Sequence, residues 1–177
     1  MSLNKFVKLF EELDSNNSTN KKINSLSNYF QINSDLNNIW TIYLLIGKSN
    51  KRFISGKSLR KYYAYNYKLP LWLVETCYTK VGDSAEVISL LLKDKLLDKK
   101  SDEDLSLNEL LKFTLPNLSI IEEEKKKDNI KILWEKIPKE NQLVFNKILT
   151  GTFRIGVSKG IVTKSLAKMI NIDESII

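Results

Sequence analysis

The sequence predicts an all-α fold, one compact multi-helix domain of about ten helices, from three observations. Apolar residues recur at the three- and four-residue spacing of a buried helix face along most of the chain. No stretch alternates apolar and polar residues as a half-buried strand does. Glycine, proline, serine and aspartate separate the apolar stretches where helices start and stop. With 177 residues, of which 42% are hydrophobic, the chain has the size of one globular domain covering residues 1–177.

The first three helices are predicted from apolar stripes separated by polar turns. Residues 4–13 carry the first stripe, and the polar turn at residues 14–19 offers caps for a second helix. Ser34 or Asp35 caps a third helix, which runs to Gly47 and is apolar on most faces, as a core helix is. The stripe of the second helix comprises Ile23, Leu26, Tyr29 and Phe30.

The middle of the chain alternates helices with short connections. A basic loop at residues 47–56 leads into a helix that ends near Tyr67, and the tyrosines of this helix are predicted to be half-buried rather than stacked on bases. Pro70 fits the first turn of the next helix. Asp83, which follows a glycine, is expected to cap a helix at residues 85–92 rather than to bind a metal.

The second half contains a charged segment followed by further helices. Residues 93–104 are charged and polar and form the predicted flexible loop. Pro116 is expected to end the helix before it, because proline cannot donate a helical hydrogen bond. The predicted helices cover residues 105–113, a segment from Asn117 or Ser119 to Ile137, residues 139–150 opened by Pro138, and a segment that starts at Ser158.

Two features of the composition exclude several kinds of site. Histidine is absent and Cys77 is the only cysteine, so no internal disulfide can form and a zinc site lacks its ligands. Histidine-based catalysis is excluded for the same reason. The apolar run at residues 39–46 is too short to span a bilayer, and no signal peptide is visible. We therefore expect no metal site, no catalytic residues, no membrane contact and a cytoplasmic location.

Basic residues are separated from acidic residues along the chain, although the net charge is only +7. No acidic residue lies between Asp35 and Glu75, or between Asn141 and Ile172. Two acid-free basic segments indicate one positive face, as in nucleic-acid-binding proteins, whereas lysines that only keep a surface soluble need not be segregated. Their cations are Lys48, Lys51, Arg52, Lys57, Arg60, Lys61 and Lys68, and then Lys147, Arg154, Lys159, Lys164 and Lys168.

Residues 147–159 combine a helix end, a turn and a helix start. Gly151 is placed to adopt the left-handed conformation that ends a helix, and Ser158 is placed to cap the next one. Between them, Arg154 has apolar neighbours and Gly156 leaves the middle of the turn without a side chain. A cation beside bare backbone and a helix N-terminus favours an anion such as a phosphate. The alternative is that any two consecutive helices need a glycine and a cap.

Four segments, in the order and spacing of a known family, resemble the N-terminal DNA-binding domain of ATP-dependent DNA ligases of the bacterial and archaeal type. They are Trp40–Gly47 with Lys51 and Arg52, Leu69–Leu73, Val81–Leu91 and Asn146–Ser158. The resemblance implies that the Gly-x-x-Arg-x-Gly turn enters the minor groove of nicked duplex DNA, whose degenerate readout suits a ligase that seals any sequence. The expected contacts are Gly151, Thr152 (a weaker hydroxyl contact), Arg154, Gly156, Ser158 and Lys159, with weaker contacts from Lys48, Lys51, Arg52, Lys57, Arg60 and Lys164.

The resemblance also implies partners outside this sequence. Ligases of this family attach AMP to the lysine of a Lys-x-Asp-Gly motif in an adenylation domain, which an OB-fold domain follows, and this sequence contains no such motif. We therefore expect a fragment that is inactive alone. It is expected to be a monomer that binds duplex DNA in replication or repair and that contacts its own adenylation and OB-fold domains. No cofactor is expected in this chain, while ATP and Mg²⁺ are expected for the catalytic domain.

Two other functions compete with this interpretation. An all-helical protein-interaction domain would use the same basic face for an acidic partner. A sequence-specific helix–turn–helix regulator would place the last helix in the major groove, but the turn before that helix is long and the helix has few candidate base-reading side chains.

Overall fold

The computed structural model describes residues 3–46, 52–96, 105–153 and 155–173, and within these ranges the regular structure is helical, with no extended sheet. The all-α prediction is therefore confirmed. No helix in the described ranges is both long enough and apolar enough to cross a membrane. The chain divides into two compact units. Unit 1 comprises Met1–Asn50, Asp104–Glu109 and Phe153–Ile177, and unit 2 comprises Lys51–Glu103 and Leu110–Thr152.

Most predicted helices are present within a few residues of their expected bounds. The predicted end of the third helix at Gly47 and most of the predicted loop at residues 93–104 lie outside the described residues. The helices are α1 (Leu3–Ser15), α2 (Thr19–Ile32), α3 (Asp35–Ile46), α4 (Gly56–Asn66), α5 (Leu71–Val81), α6 (Ser84–Lys93), α7 (Leu107–Glu109), α8 (Leu115–Ile120), α9 (Glu123–Lys136), α10 (Gln142–Thr150) and α11 (Lys159–Ile170), with a π turn at Leu110–Thr114 and a 3₁₀ turn at Lys139–Asn141.

Pro116 does not end a helix, contrary to the prediction. It lies near the start of α8, directly after the π turn at Leu110–Thr114. Proline lacks an N–H and its ring crowds the carbonyl one turn back, and the wider π turn relieves that conflict so that the chain stays helical. The predicted caps of the following helix, Asn117 and Ser119, lie inside α8 instead, and α9 begins after Glu122.

Unit 1 is built on the packing of α2 against α11 and α1, and of α3 against α7. Some polar side chains on these helices bond to one another: Trp40 Nε1 donates to Asn108 Oδ1 over 2.8 Å. Thr41 Oγ1 likewise donates to the Tyr29 hydroxyl over 3.2 Å. The largest buried apolar side chains of this unit include Leu3, Phe6, Phe10, Leu13, Leu26, Phe30, Leu44 and Leu107.

Unit 2 packs α10 against α6, and α4 against α5, α6 and α9. Its core contains a buried polar chain in which Trp134 Nε1 donates to Asn146 Oδ1 (2.9 Å) and Asn146 Nδ2 donates to Ser89 Oγ (3.0 Å). The tyrosines of α4 divide between core and surface: Tyr63 is fully buried, which raises the pKa of its phenol, whereas Tyr65 is exposed. The prediction that the tyrosines of this helix are half-buried is therefore wrong, because Tyr62 is buried as well.

Candidate nucleic-acid interface

Gly151 ends α10 in the conformation that its sequence context predicts. It adopts φ 67° and ψ 26°, the left-handed region, at the position after the last helical residue. Its N–H donates to Ile148 O (3.3 Å), and the N–H of Thr152 donates to Lys147 O (3.1 Å), so the last carbonyls of α10 are satisfied. The helix end therefore depends on local bonds and also on a remote segment, because Leu149 O accepts from Phe53 N (3.1 Å) and Ile54 N (3.0 Å).

Thr152 lines a cavity of ≈ 400 Å³ in unit 2 together with two exposed cations of the first basic segment, Arg52 and Lys57. The Thr152 hydroxyl lies 2.8 Å from the hydroxyl of Thr150, which donates to Asn146 O on α10 (2.9 Å). The structure thus brings four of the predicted contact residues around one concave surface of unit 2, because Arg60 also lines the cavity. These residues lie up to one hundred positions apart in the chain.

Two helices begin at this cavity. The first residues of α4 and α6, Gly56 and Ser84, both line it. The caps are side chains, since Ser55 Oγ accepts from Ser58 N (3.0 Å) and Asp83 Oδ1 accepts from Glu86 N (3.0 Å). Asp83 is therefore the N-cap that the sequence predicts. Because early N–H groups of a helix lack intrahelical partners and carry the positive end of its dipole, both starts favour an anion in this cavity.

The two helix starts are in close contact. A Cβ added to Gly56 would lie 2.6 Å from Ser84 Oγ and 3.1 Å from Ser84 Cβ, nearer than side chains approach one another. Glycine at this position therefore permits the contact between the starts of α4 and α6.

Arg60 requires a correction, because it is not the exposed cation that the charge pattern predicts. Only 7% of it is exposed. Its Nε donates to Glu75 Oε1 (3.0 Å), a second nitrogen lies 3.0 Å from Glu75 Oε2, and a third donates to Ser84 Oγ. Its guanidinium also lies 3.7 Å from the centre of the Tyr78 ring. A guanidinium so engaged joins α4, α5 and α6 and supports the wall of the cavity.

The acidic residue at the cavity is also paired. Asp83 Oδ2 lies 3.2 Å from Lys147 Nζ, which comes from α10. Asp83 is the one carboxylate among the described residues that line the cavity, and this ion pair offsets its charge. Among those residues, the charges of Arg52 and Lys57 therefore dominate the cavity surface.

The second part of the predicted site lies in unit 1, where two apolar residues anchor the turn before α11. The Phe153 ring packs on Phe6 and Phe10 of α1, with ring centroids 6.1 and 5.7 Å apart. Ile155 is 7% exposed. The sequence predicts that the neighbours of Arg154 anchor the turn, and both of these neighbours are held in that way. Arg154 itself lies outside the described residues.

A residue that the sequence interpretation missed supports the same turn. Lys22, on α2, is only 8% exposed, and its Nζ donates to Ile155 O (2.6 Å) and to Gly156 O (3.3 Å). The signal for it is present in the sequence, because Lys22 precedes Leu26, Tyr29 and Phe30 at helical spacing. A lysine on that buried stripe must find polar partners.

The start of α11 has the predicted geometry. Ser158 is the N-cap, and its Oγ accepts from Ile161 N over 3.3 Å. Gly156 adopts φ 62°, the left-handed region, two residues before the cap. Lys159 and Lys164 are exposed on the surface of α11. Gly156, Ser158 and Lys159 are thus grouped at one helix start in unit 1.

Three predicted contacts have no described position, namely Lys48, Lys51 and Arg154. The prediction that the two basic segments share one face stays a prediction. Among the other predicted contacts, Gly151, Thr152, Arg52 and Lys57 belong to unit 2, and Gly156, Ser158, Lys159 and Lys164 belong to unit 1.

The family of the chain follows from comparison with known proteins. No curated protein matches the sequence. A family model, described as DNA ligase N terminus, matches residues 2–167, which is nearly the whole chain and includes both units. The helical architecture agrees with the all-α domain expected from the resemblance in the four segments. The chain belongs to the DNA ligase N-terminal family.

Proposed function

We propose that this chain is the module with which an ATP-dependent DNA ligase holds duplex DNA, without sequence specificity, in replication or repair. Its contacts would come from two sets of residues, one in each unit. Unit 2 supplies Arg52, Lys57 and Thr152 at its cavity, and Gly151 at the end of α10. Unit 1 supplies the turn around Gly156 and the start of α11 with Ser158 and Lys159, and Arg154 lies between the two sets in the sequence. Lys48, Lys51 and Lys164 add positive charge.

The observation that carries the proposal is the cavity of unit 2. Exposed Arg52 and Lys57 line it beside two helix starts, Gly56 and Ser84, and its one carboxylate is paired with Lys147. Side-chain cations together with helix N-terminal amides are the groups that bind DNA phosphates in proteins. None of these groups selects a base, which fits an enzyme that must seal breaks in any sequence.

The chemistry of ligation would be supplied by other parts of the ligase. The sequence contains no Lys-x-Asp-Gly motif, so we propose that an adenylation domain carries the AMP-accepting lysine and uses ATP and Mg²⁺. In this proposal the DNA-binding module acts as a monomer in the cytoplasm of a bacterium or archaeon, next to adenylation and OB-fold domains of the same protein.

The proposal predicts a steep salt dependence of DNA affinity. If about five phosphates are neutralised, log K for a random-sequence nicked duplex falls against log salt with a slope of about −4.5. Fluorescence anisotropy at several salt concentrations, on nicked and on intact duplex, measures this slope. No binding at low salt, or an affinity independent of salt, would overturn DNA binding. Preference for an acidic protein over duplex DNA would favour the protein-interaction alternative.

The same titration with Arg154→Ala tests the turn. One fewer phosphate contact makes the slope shallower by about 0.9. The loss of affinity should be the same on duplexes of different sequence, because a minor-groove arginine near the backbone reads little sequence. A loss confined to one sequence would contradict the proposal and favour a sequence-specific regulator.

A further inference from the structure

We propose that Lys22 is the positioning residue of the DNA-binding turn, which it holds with its peptide N–H groups directed towards the DNA. The inference rests on the proposed function, because it concerns the same turn. It adds a residue from α2, more than one hundred and thirty positions away, to the turn before α11.

Lys22 is bound to the turn by main-chain contacts. Its ammonium donates to Ile155 O (2.6 Å, buried) and to Gly156 O (3.3 Å, partly buried). Within the described ranges, neither a hydrogen bond nor an ion pair joins Lys22 to a carboxylate. Its position on the buried stripe of α2, with α2 packed on α1 and α11, leaves the ammonium little freedom to reach another partner.

These two contacts determine where the peptide N–H groups point. In a trans peptide the C=O and the N–H are antiparallel, so when Ile155 O points to Lys22 the N–H of Gly156 points away from it. The same holds for Gly156 O and the N–H of Val157. In the described part of the chain, neither N–H donates to a protein acceptor. Two successive N–H groups on the side opposite Lys22 form an anion-binding surface.

The glycine at position 156 is required by the same arrangement. At φ 62° a residue with a Cβ is strained, and an added Cβ would lie 3.0 Å from Lys22 Nζ. A side chain here would therefore press on the ammonium, in addition to the backbone strain at this φ. Gly156 serves the contact with Lys22 as well as the close approach of DNA.

The charge of Lys22 supports a functional role over a purely structural one. Removing an ammonium from water is costly, and main-chain carbonyls compensate less than a carboxylate does. An apolar side chain would fill the same position on the stripe at lower cost. A cation behind the turn that has no carboxylate partner among the described residues, however, raises the positive potential where a phosphate would bind.

The test compares two neighbouring lysines on α2. Lys22→Met keeps an apolar stem of similar length and removes the donors, and Lys21→Met removes the same charge from an exposed position. Because both variants lose one positive charge, a general electrostatic effect is equal in the two. We expect Lys22→Met to bind a random-sequence nicked duplex about tenfold more weakly than Lys21→Met at the same salt concentration, with circular dichroism unchanged.

Combination with Arg154→Ala separates positioning from a general loss of stability. If Lys22 acts through the turn, Lys22→Met weakens binding about tenfold in the wild type but less than threefold in Arg154→Ala. Equal effects in both backgrounds, or equal affinities of Lys22→Met and Lys21→Met, would overturn the inference. If wild type does not bind the duplex, or Arg154→Ala binds as wild type does, it is the proposed function that fails.

A second variant applies if Lys22→Met does not fold. Gly156→Ala retains Lys22 but strains the turn at its left-handed φ and crowds the ammonium. We expect it to lose affinity about tenfold, again with a smaller effect in the Arg154→Ala background. Unchanged affinity of Gly156→Ala would show that the geometry of this turn does not matter for DNA binding and would overturn the inference.

Discussion

Each unit contains a buried cation, and the two cations are held in different ways. In unit 2, Arg60 is bound by the carboxylate of Glu75, the hydroxyl of Ser84 and the ring of Tyr78. In unit 1, Lys22 is bound by two main-chain carbonyls of a turn. Both residues are less than a tenth exposed. Among the described residues, Arg60 has a carboxylate partner and Lys22 has none. Arg60 joins three helices of unit 2, whereas Lys22 contacts the turn that we propose it positions.

The difference shows why a count of cations is a poor guide to a binding surface. Both residues add to the positive net charge, but the guanidinium of Arg60 forms part of the wall of a cavity whose exposed cations are Arg52 and Lys57. Lys22 belongs to neither basic segment, yet it contacts the proposed site directly. Which cations can serve DNA binding therefore depends on their partners in the fold.

The largest effect on stability is expected from removing the guanidinium of Arg60. Arg60→Met leaves Glu75 and Ser84 without their partner, and we expect the free energy of unfolding to fall by about 2 kcal/mol, below the usual cost for a fully buried pair because Glu75 remains partly exposed. Arg60→Lys should not restore stability, since an ammonium cannot bind a carboxylate with two parallel bonds and also stack on Tyr78. Urea denaturation measures the free energy of unfolding of both variants.

Lys61→Met is the matched control, because Lys61 is the exposed neighbour of Arg60 on α4. It should change the free energy of unfolding by less than about 0.5 kcal/mol. Wild-type stability of Arg60→Lys would show that a positive charge is sufficient at this position. The difference between a guanidinium held by side chains and an ammonium held by main-chain carbonyls would then not matter for stability.

The local features of the site could be predicted from the sequence, because each depends on a few neighbouring residues. Gly151 at the end of α10 and Ser158 at the start of α11 have the predicted conformations and hydrogen bonds. Asp83 likewise caps α6. Helix ends of this kind are decided within one turn of the chain, so a glycine, a serine or an aspartate in the right place is a sufficient signal.

Tertiary contacts account for what the sequence analysis missed. The burial of Arg60 depends on Glu75 and Ser84, fifteen and twenty-four residues further along, and nothing near Arg60 indicates that they will meet it. Lys22 meets a turn that is still more remote in sequence. Local propensity cannot report these contacts. Pro116 is a different case, because a π turn, a local feature directly before it in the chain, accommodates it.

A moderate effect on stability is expected at Gly56, where the start of α4 meets Ser84, a partner of Arg60. Gly56→Ala would force Ser84 from its contact with Arg60, and we expect the free energy of unfolding to fall by about 1 kcal/mol. Gly160→Ala, within α11, meets no atom closer than 3.8 Å and should instead raise stability slightly, by up to about 0.5 kcal/mol. Thermal denaturation measures both variants. A lower Tm for Gly56→Ala together with a higher Tm for Gly160→Ala would confirm that the approach of α4 to α6 needs a glycine, and a change of the same sign in both would argue against it.

The smallest effect is expected for a cation that contacts neither the partners of Arg60 nor the turn before α11. Lys131 on α9 lies 3.8 Å from Glu135, and both side chains are about half exposed. Such a pair stabilises a helix by only about 0.3–0.5 kcal/mol, so Lys131→Ala should leave urea denaturation nearly unchanged. It should also leave the slope of DNA affinity against salt unchanged, although it removes the same charge as Lys22→Met. A slope as shallow as that of Arg154→Ala would mean that DNA responds to total charge, and that the partners of each cation do not decide its role.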